Sequence, residues 1–197
     1  ETMRDRAIAF VPASGRQCTT LSTMFGSHLQ GMPIIAENGT YVVRDGVDIS
    51  SSTIDPNLTR EVITGVRQLR NDGHDVGLVV ATKSIAYLER GDDPFVSHVA
   101  TYYHSHRIVK DLSEHTDDVI KLSIYDFREA SEATYPTMQR TAPEHQVILA
   151  TPNWVDIMNP GVNKGSAVEA VQRDLGVTAD QTAIFGDFLN DLEMMPM

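Results

Sequence analysis

The chain has 197 residues, enough for one large domain or two small ones, and its 41% hydrophobic and 22% charged residues are an ordinary balance for a globular protein with a core. Its 27 acidic and 16 basic residues leave a formal net charge of −11, which argues against a nucleic-acid surface and against attraction to an anionic membrane. A single cysteine, Cys18, excludes an intrachain disulfide; with no apolar run near the ~18 residues of a membrane span and no signal peptide, the expected setting is the cytoplasm.

Ala7-Ile8-Ala9-Phe10-Val11 is a short apolar run ending at Pro12-Ala13-Ser14-Gly15, and it reads as a buried strand of a parallel sheet. Leu21, Met24, Phe25 and Leu29 then recur at helical spacing within residues 19–29. Residues 33–36 form a second short strand, and Asn38-Gly39 marks a turn. Residues 40–44 and 47–49 flank Asp45-Gly46, a hairpin signal. The spacing of Leu58, Val62, Ile63, Val66 and Leu69 predicts a helix over 56–71, followed by a strand at 76–81. Residues 82–117 are polar, show no dominant period and hold one or two short helices. A strand at 119–125, a helix at 128–140 and strands at 146–150 and 154–158 follow. Ala167, Val168, Val171 and Leu175 define the inner face of a helix over 164–175 that Gly176 stops, and Thr182-Ala183-Ile184-Phe185 is a buried strand running into Gly186-Asp187. Strand–helix–strand units at both ends imply an α/β fold with a doubly wound parallel, Rossmann-like core, built from 1–50 and 154–197, interrupted by an α+β insertion over 51–153.

In an open α/β sheet, ligands bind beyond the carboxyl ends of the strands. Ser14-Gly15-Arg16 follows the first strand, Lys164 opens a helix, and Asp187 follows the last strand with Asn190 and Asp191 one turn on. Asp187 and Asp191, hard oxygen donors four residues apart, suit Mg²⁺. Ser14 and the Gly15 amide suit a phosphate, and Lys164 suits the neutralisation of its charge. A Ser-Gly-Arg turn or a helix-opening lysine is unremarkable alone; the Gly-Asp-x-x-Asn-Asp run, with four constrained residues in six positions, is harder to reach by chance. Cys18 reads as a partly buried helix residue rather than as a catalytic thiol.

Three of these segments resemble motifs of the haloacid dehalogenase superfamily, in its Cof-type branch with a C2-type (IIB) cap. Residues 10–16 resemble the motif usually written with Thr-Gly-Arg, here with Ser14 in place of threonine. Lys164, within Gly161-Val162-Asn163-Lys164-Gly165, resembles the lysine motif, and residues 186–194 resemble the acidic motif. Residues 33–39 resemble the segment that leads into the cap. The resemblance implies that Asp187 binds Mg²⁺ with Asp191 as ligand or neighbour. It implies that Ser14, Gly15 and Arg16 hold the phosphate, that Lys164 orients the nucleophile and balances charge, and that Asn190 assists near the phosphate. Family members carry Asp-x-Asp-Gly-Thr on their first strand, supplying nucleophile and general acid/base; no such run occurs here. Either it belongs to a longer protein, which is the expectation, or the chain is a remnant without activity.

The resemblance therefore implies a Mg²⁺-dependent phosphomonoesterase that acts on a small phosphorylated metabolite through an aspartyl-phosphate. A phosphomutase on the same scaffold and an inactive binding or regulatory module are the alternatives. The insertion would cover the site and select the substrate, with His98, His104, His106 and Arg107 as candidate contacts. His104-x-His106 alone does not make a transition-metal site. Neither nucleic acid nor membrane is expected as a partner, and the chain is expected to be a monomer or homodimer.

Overall fold

The computed structural model describes residues 2–187 and 189–196. In chain order the helices and strands are α1 (Thr2–Asp5), α2 (Cys18–Phe25), β1 (Pro33–Ala36), β2 (Tyr41–Arg44), β3 (Val47–Ser51), α3 (Pro56–Asn71), β4 (Val76–Thr82), β5 (Ala86–Leu88), α4 (Asp93–Ala100), β6 (His106–Ile108), β7 (Val119–Asp126), α5 (Thr134–Thr141), β8 (Gln146–Leu149), β9 (Trp154–Met158) and α6 (Lys164–Leu175). Short 3₁₀ turns lie between them, the last at Leu189–Met194. The chain divides into two compact units, Glu1–Ser52 with Val162–Met197, and Thr53–Gly161.

The first unit is organised on the antiparallel sheet β1-β2-β3. Asp45 and Gly46 both take positive φ (50° and 79°), the pairing that lets a two-residue turn match the twist of its strands. Helix α6 starts because Asn163 caps it: its side chain accepts from Ser166 N at 2.9 Å, while Ser166 Oγ accepts from Asn163 N at 3.1 Å. The inner face of α6 then packs Ala167, Val168 and Val171 with Ile35, Val42 and Met194.

Two expected strands of this unit are not strands. Residues 7–11 and 182–185 carry apolar runs, yet Ile8 and Phe10 are 46% and 42% exposed and Phe185 is 89% exposed. An apolar run becomes a strand only when a neighbour pairs with it, and among the described residues no strand pairs with either. Parallel pairing does occur one step along the chain. Ala13 bridges Ile35 in parallel, with Ile35 N–H donating to Pro12 O (2.9 Å) and Ser14 N–H to Ile35 O (3.0 Å).

The second unit is a six-stranded sheet in the order β6-β5-β4-β7-β9-β8, antiparallel except for β5 with β6. Helix α3 begins where Asp55 accepts from Asn57 N (2.7 Å) and Pro56 occupies the first turn. Strand period two splits the sheet into two covered faces. Val76, Leu78 and Val80 of β4, Leu122 and Ile124 of β7, and Val155 and Ile157 of β9 meet α3 and Met138 of α5 on one face. Val79, Ala81, Ala86, Leu88, Tyr125 and Trp154 meet Phe95 and Val99 of α4 and Tyr103 on the other. Each fully buried aliphatic side chain contributes about 1.5–3 kcal/mol relative to exposure, so the two faces together supply most of the drive to fold this unit.

The sequence places Trp154–Met158 with the C-terminal segment, but it pairs with β7 and β8. An apolar pattern signals a strand without saying which sheet receives it. Helix α5 starts at Thr134 rather than at 128, because the buried Asp126 carboxylate holds Arg128 N (2.9 Å) and Thr134 Oγ1 (2.6 Å) in a turn.

Candidate functional site

The sequence-predicted site residues Ser14, Gly15, Arg16, Lys164, Asp187, Asn190 and Asp191 all belong to the first unit. Phe188, inside the same motif, lies outside the described residues. Ser14 follows the parallel bridge to β1, and its Oγ accepts from Arg16 N at 3.2 Å. That bond uses a lone pair, so the hydroxyl proton can still be donated to an anion.

Lys164 opens α6 with its side chain turned inward, only 6% exposed. Its Nζ meets Asp191 Oδ1 at 2.5 Å, and the Asp191 side chain is 9% exposed. The second Asp191 oxygen, Oδ2, accepts from the backbone N–H of Asp187 at 3.0 Å. Asp191 is therefore a junction: one carboxylate fixes the lysine and the turn that carries Asp187. The Asp187 residue itself is exposed. Gly165 makes the close approach possible, because a Cβ there would run into the carbonyl of Glu193.

The link to the Ser14 turn runs through Asn38, which the sequence reading places in a turn and in the segment that resembles the approach to the cap, but not in the site. Asn38 N–H donates to Ser14 O at 3.0 Å, and Asn190 Nδ2 donates to Asn38 Oδ1 at 3.1 Å. Residues 14, 38, 190, 191, 187 and 164 thus form one connected network of hydrogen bonds and chain neighbours. The pairing of Lys164 with Asp191 spans 27 positions, and no local spacing rule could have found it.

Burial pushes the Cys18 thiol above its ordinary pKa of 9.0; the Glu37 charge adds to this, while a Ser22 hydrogen bond opposes it. Such a thiol stays protonated at neutral pH and is no nucleophile. In the second unit, His98 stacks on Tyr125 with ring centres 4.3 Å apart and its Nε2 meets Tyr125 Oη at 3.2 Å, and His106 Nδ1 meets Tyr103 O at 2.8 Å. Both imidazoles are engaged in local structure. His104 and Arg107 belong to the same unit, and among the described residues no group of three or more His, Cys, Asp or Glu is placed to hold a metal ion. Nor is any described helix long and apolar enough to cross a membrane.

The family profile described as haloacid dehalogenase-like hydrolase matches residues 1–197, and the chain belongs to that family. Among curated proteins it is 27% identical to the 5-amino-6-(5-phospho-D-ribitylamino)uracil phosphatase YbjI of Escherichia coli, over 99% of this chain and 71% of that protein. A haloacid dehalogenase-like hydrolase from Bacteroides thetaiotaomicron superposes with a TM-score of 0.83 at 18% identity, covering 98% of this chain and 74% of the other. The HAD subclass IIB sugar phosphatase BT4131 superposes with a TM-score of 0.76 at 18% identity, covering 98% and 73%. The α/β fold is that of these hydrolases, and the enzyme class is a hydrolase of the haloacid dehalogenase superfamily whose named relatives are phosphatases.

Proposed function

We propose that the chain carries the phosphate- and metal-binding residues of a Mg²⁺-dependent phosphomonoesterase acting on a small phosphorylated metabolite. The observation that carries this reading is the network that ties Ser14, Asn190, Asp187, Asp191 and Lys164 together in one unit. The donor set fits the ion: Mg²⁺ keeps several waters and takes one or two carboxylates plus phosphate oxygens. Asp187, exposed, offers one such carboxylate, and Asp191, whose two oxygens hold Lys164 and the Asp187 N–H, fixes the turn that presents it. Bound there, Mg²⁺ would offset charge on the phosphoryl oxygens.

The residues of this chain do the rest by binding and orienting. The Ser14 hydroxyl and Gly15 amide hold the phosphate, with Arg16 flanking the turn. Lys164, held by Asp191, supplies a fixed positive charge that balances the phosphate and orients the attacking group. The attacking carboxylate implied by the family resemblance would form an aspartyl-phosphate that water then opens. The unit Thr53–Gly161 is the candidate for substrate selection.

YbjI and the subclass IIB sugar phosphatase act on phosphorylated small molecules by name, which supports the same substrate class here. The test is release of inorganic phosphate from an aryl phosphate and from a panel of sugar phosphates by the full-length protein, with and without Mg²⁺. Mg²⁺-dependent release is expected. No release across the panel refutes the reading, and an isomerised sugar phosphate in place of free phosphate assigns a mutase instead.

A further inference from the structure

We infer that Asn38 is a positioning residue of the phosphate pocket, holding the Ser14-Gly15 turn and the Asn190 side chain in register; the inference rests on the phosphatase reading above. The backbone after β1 makes an uncommon bend, with Glu37, Asn38 and Gly39 all at positive φ (51°, 59° and 98°). Asparagine tolerates this region better than other side chains except glycine. The bend directs Asn38 to two segments far apart in sequence. Its N–H donates to Ser14 O (3.0 Å), and its Oδ1 accepts from Asn190 Nδ2 (3.1 Å), 152 residues away. The same Oδ1 lies so near Gly15 that a Cβ built there would be 2.8 Å from it. Asn38 therefore touches both residues of the turn and the asparagine assigned to the phosphate.

The amide suits the place chemically. A side-chain oxygen is needed to accept from Asn190. Aspartate would accept equally well but would set a negative charge beside an anion pocket. Alanine would accept nothing and would resist φ of 59°. Its contacts with Ser14, Gly15 and Asn190 are the route by which Asn38 acts on the phosphate.

Asn38→Gly removes the side chain without backbone strain, which makes it the informative deletion. In the full-length protein, the Kd for inorganic phosphate measured calorimetrically should rise about tenfold, the scale of one neutral hydrogen bond, with a similar rise in KM for an aryl phosphate and a smaller change in kcat. The same substitution in an Asn190→Ala background should have little further effect, since the link is already cut. Asn38→Asp should keep the wild-type melting temperature yet weaken phosphate binding through its charge. Wild-type phosphate affinity in Asn38→Gly, or effects of Asn38→Gly and Asn190→Ala that simply multiply, overturns the inference. A wild-type protein that binds phosphate but releases none from any ester refutes the phosphatase reading while leaving the binding comparison intact. One that binds no phosphate overturns both.

Discussion

Replacing Asp191 by alanine is the sharpest perturbation of this site. The carboxylate is 9% exposed and lies 2.5 Å from a lysine ammonium that is itself 6% exposed. Deleting it strands a cation where water cannot solvate it, and breaking a buried pair from one side costs about 3–5 kcal/mol. For a protein of this size each kcal/mol moves the melting temperature by about 2–4 °C, so the variant should melt roughly 6–20 °C below wild type. The second Asp191 oxygen also loses its bond from Asp187 N–H, but Asp187 is exposed and water replaces that acceptor, so little is added. The assay is thermal unfolding by circular dichroism, with urea denaturation as a second measure. Two controls isolate the cause. The double substitution Lys164→Met with Asp191→Leu removes both charges and should recover most of the loss, because buried pairs can be replaced by apolar residues at little cost. Raising NaCl to about 1 M should leave the wild-type contribution largely intact, as screening reaches buried pairs weakly. An Asp191→Ala protein within about 1 kcal/mol of wild type would show that the pair is not a buried one.

Asp187→Asn changes an exposed side chain, so its stability should stay within about 0.5 kcal/mol of wild type while Mg²⁺-dependent turnover falls at least about a hundredfold; comparison of melting curves with phosphate release checks both halves. The Cys18 thiol has its folded pKa raised above 9.0. Below that value folded and unfolded thiols are both protonated, and above it the unfolded thiol ionises first. Stability should thus decline as pH rises past about 9 towards the folded value, and Cys18→Ser should flatten that part of a stability–pH curve. Consistent with this, folded protein should react with iodoacetamide more slowly than urea-unfolded protein at pH 8.5. Leu122 is fully buried at the centre of the six-stranded sheet, so Leu122→Ala should cost about 2–5 kcal/mol in urea denaturation, and a cost under 1 kcal/mol would refute the packing described.

Elements whose stabilising contacts repeat within one helical or strand period were legible in the sequence. Helix 56–71 and helix 164–175 appear with those bounds, because capping by Asp55 and Asn163 and a clean apolar stripe all act locally. The Asp45-Gly46 hairpin was legible for the same reason. Residues 7–11 and 182–185 were not, since an apolar run carries no record of whether a neighbouring strand is there to pair with it. Residues 82–117 resisted reading because their elements are too short to show a period: β5 and β6 have three residues each and α4 eight. In the first unit, Ser14, Lys164, Asp187, Asn190 and Asp191 were legible, by residue type and motif, as a candidate site. Their connections were not: Lys164 with Asp191 and Asn38 with Asn190 are contacts between distant segments, set by the packing of α6 against the Leu189–Met194 turn and by the left-handed bend after β1.

The Asn159 side chain donates to the carbonyl of Thr53 at 2.8 Å, so the strand leaving the second unit is stitched to the residue that enters it. A folded body whose two ends meet within one hydrogen bond behaves as a cassette: its host needs only a short gap in a surface loop to accept it. Genetic exchange at Thr53 and Gly161 could then replace the whole body with another of different interior while the network around Asp191 keeps its own hydrogen bonds. Diversification by splicing, rather than by point changes scattered through the host, is the history that such a seam makes easy.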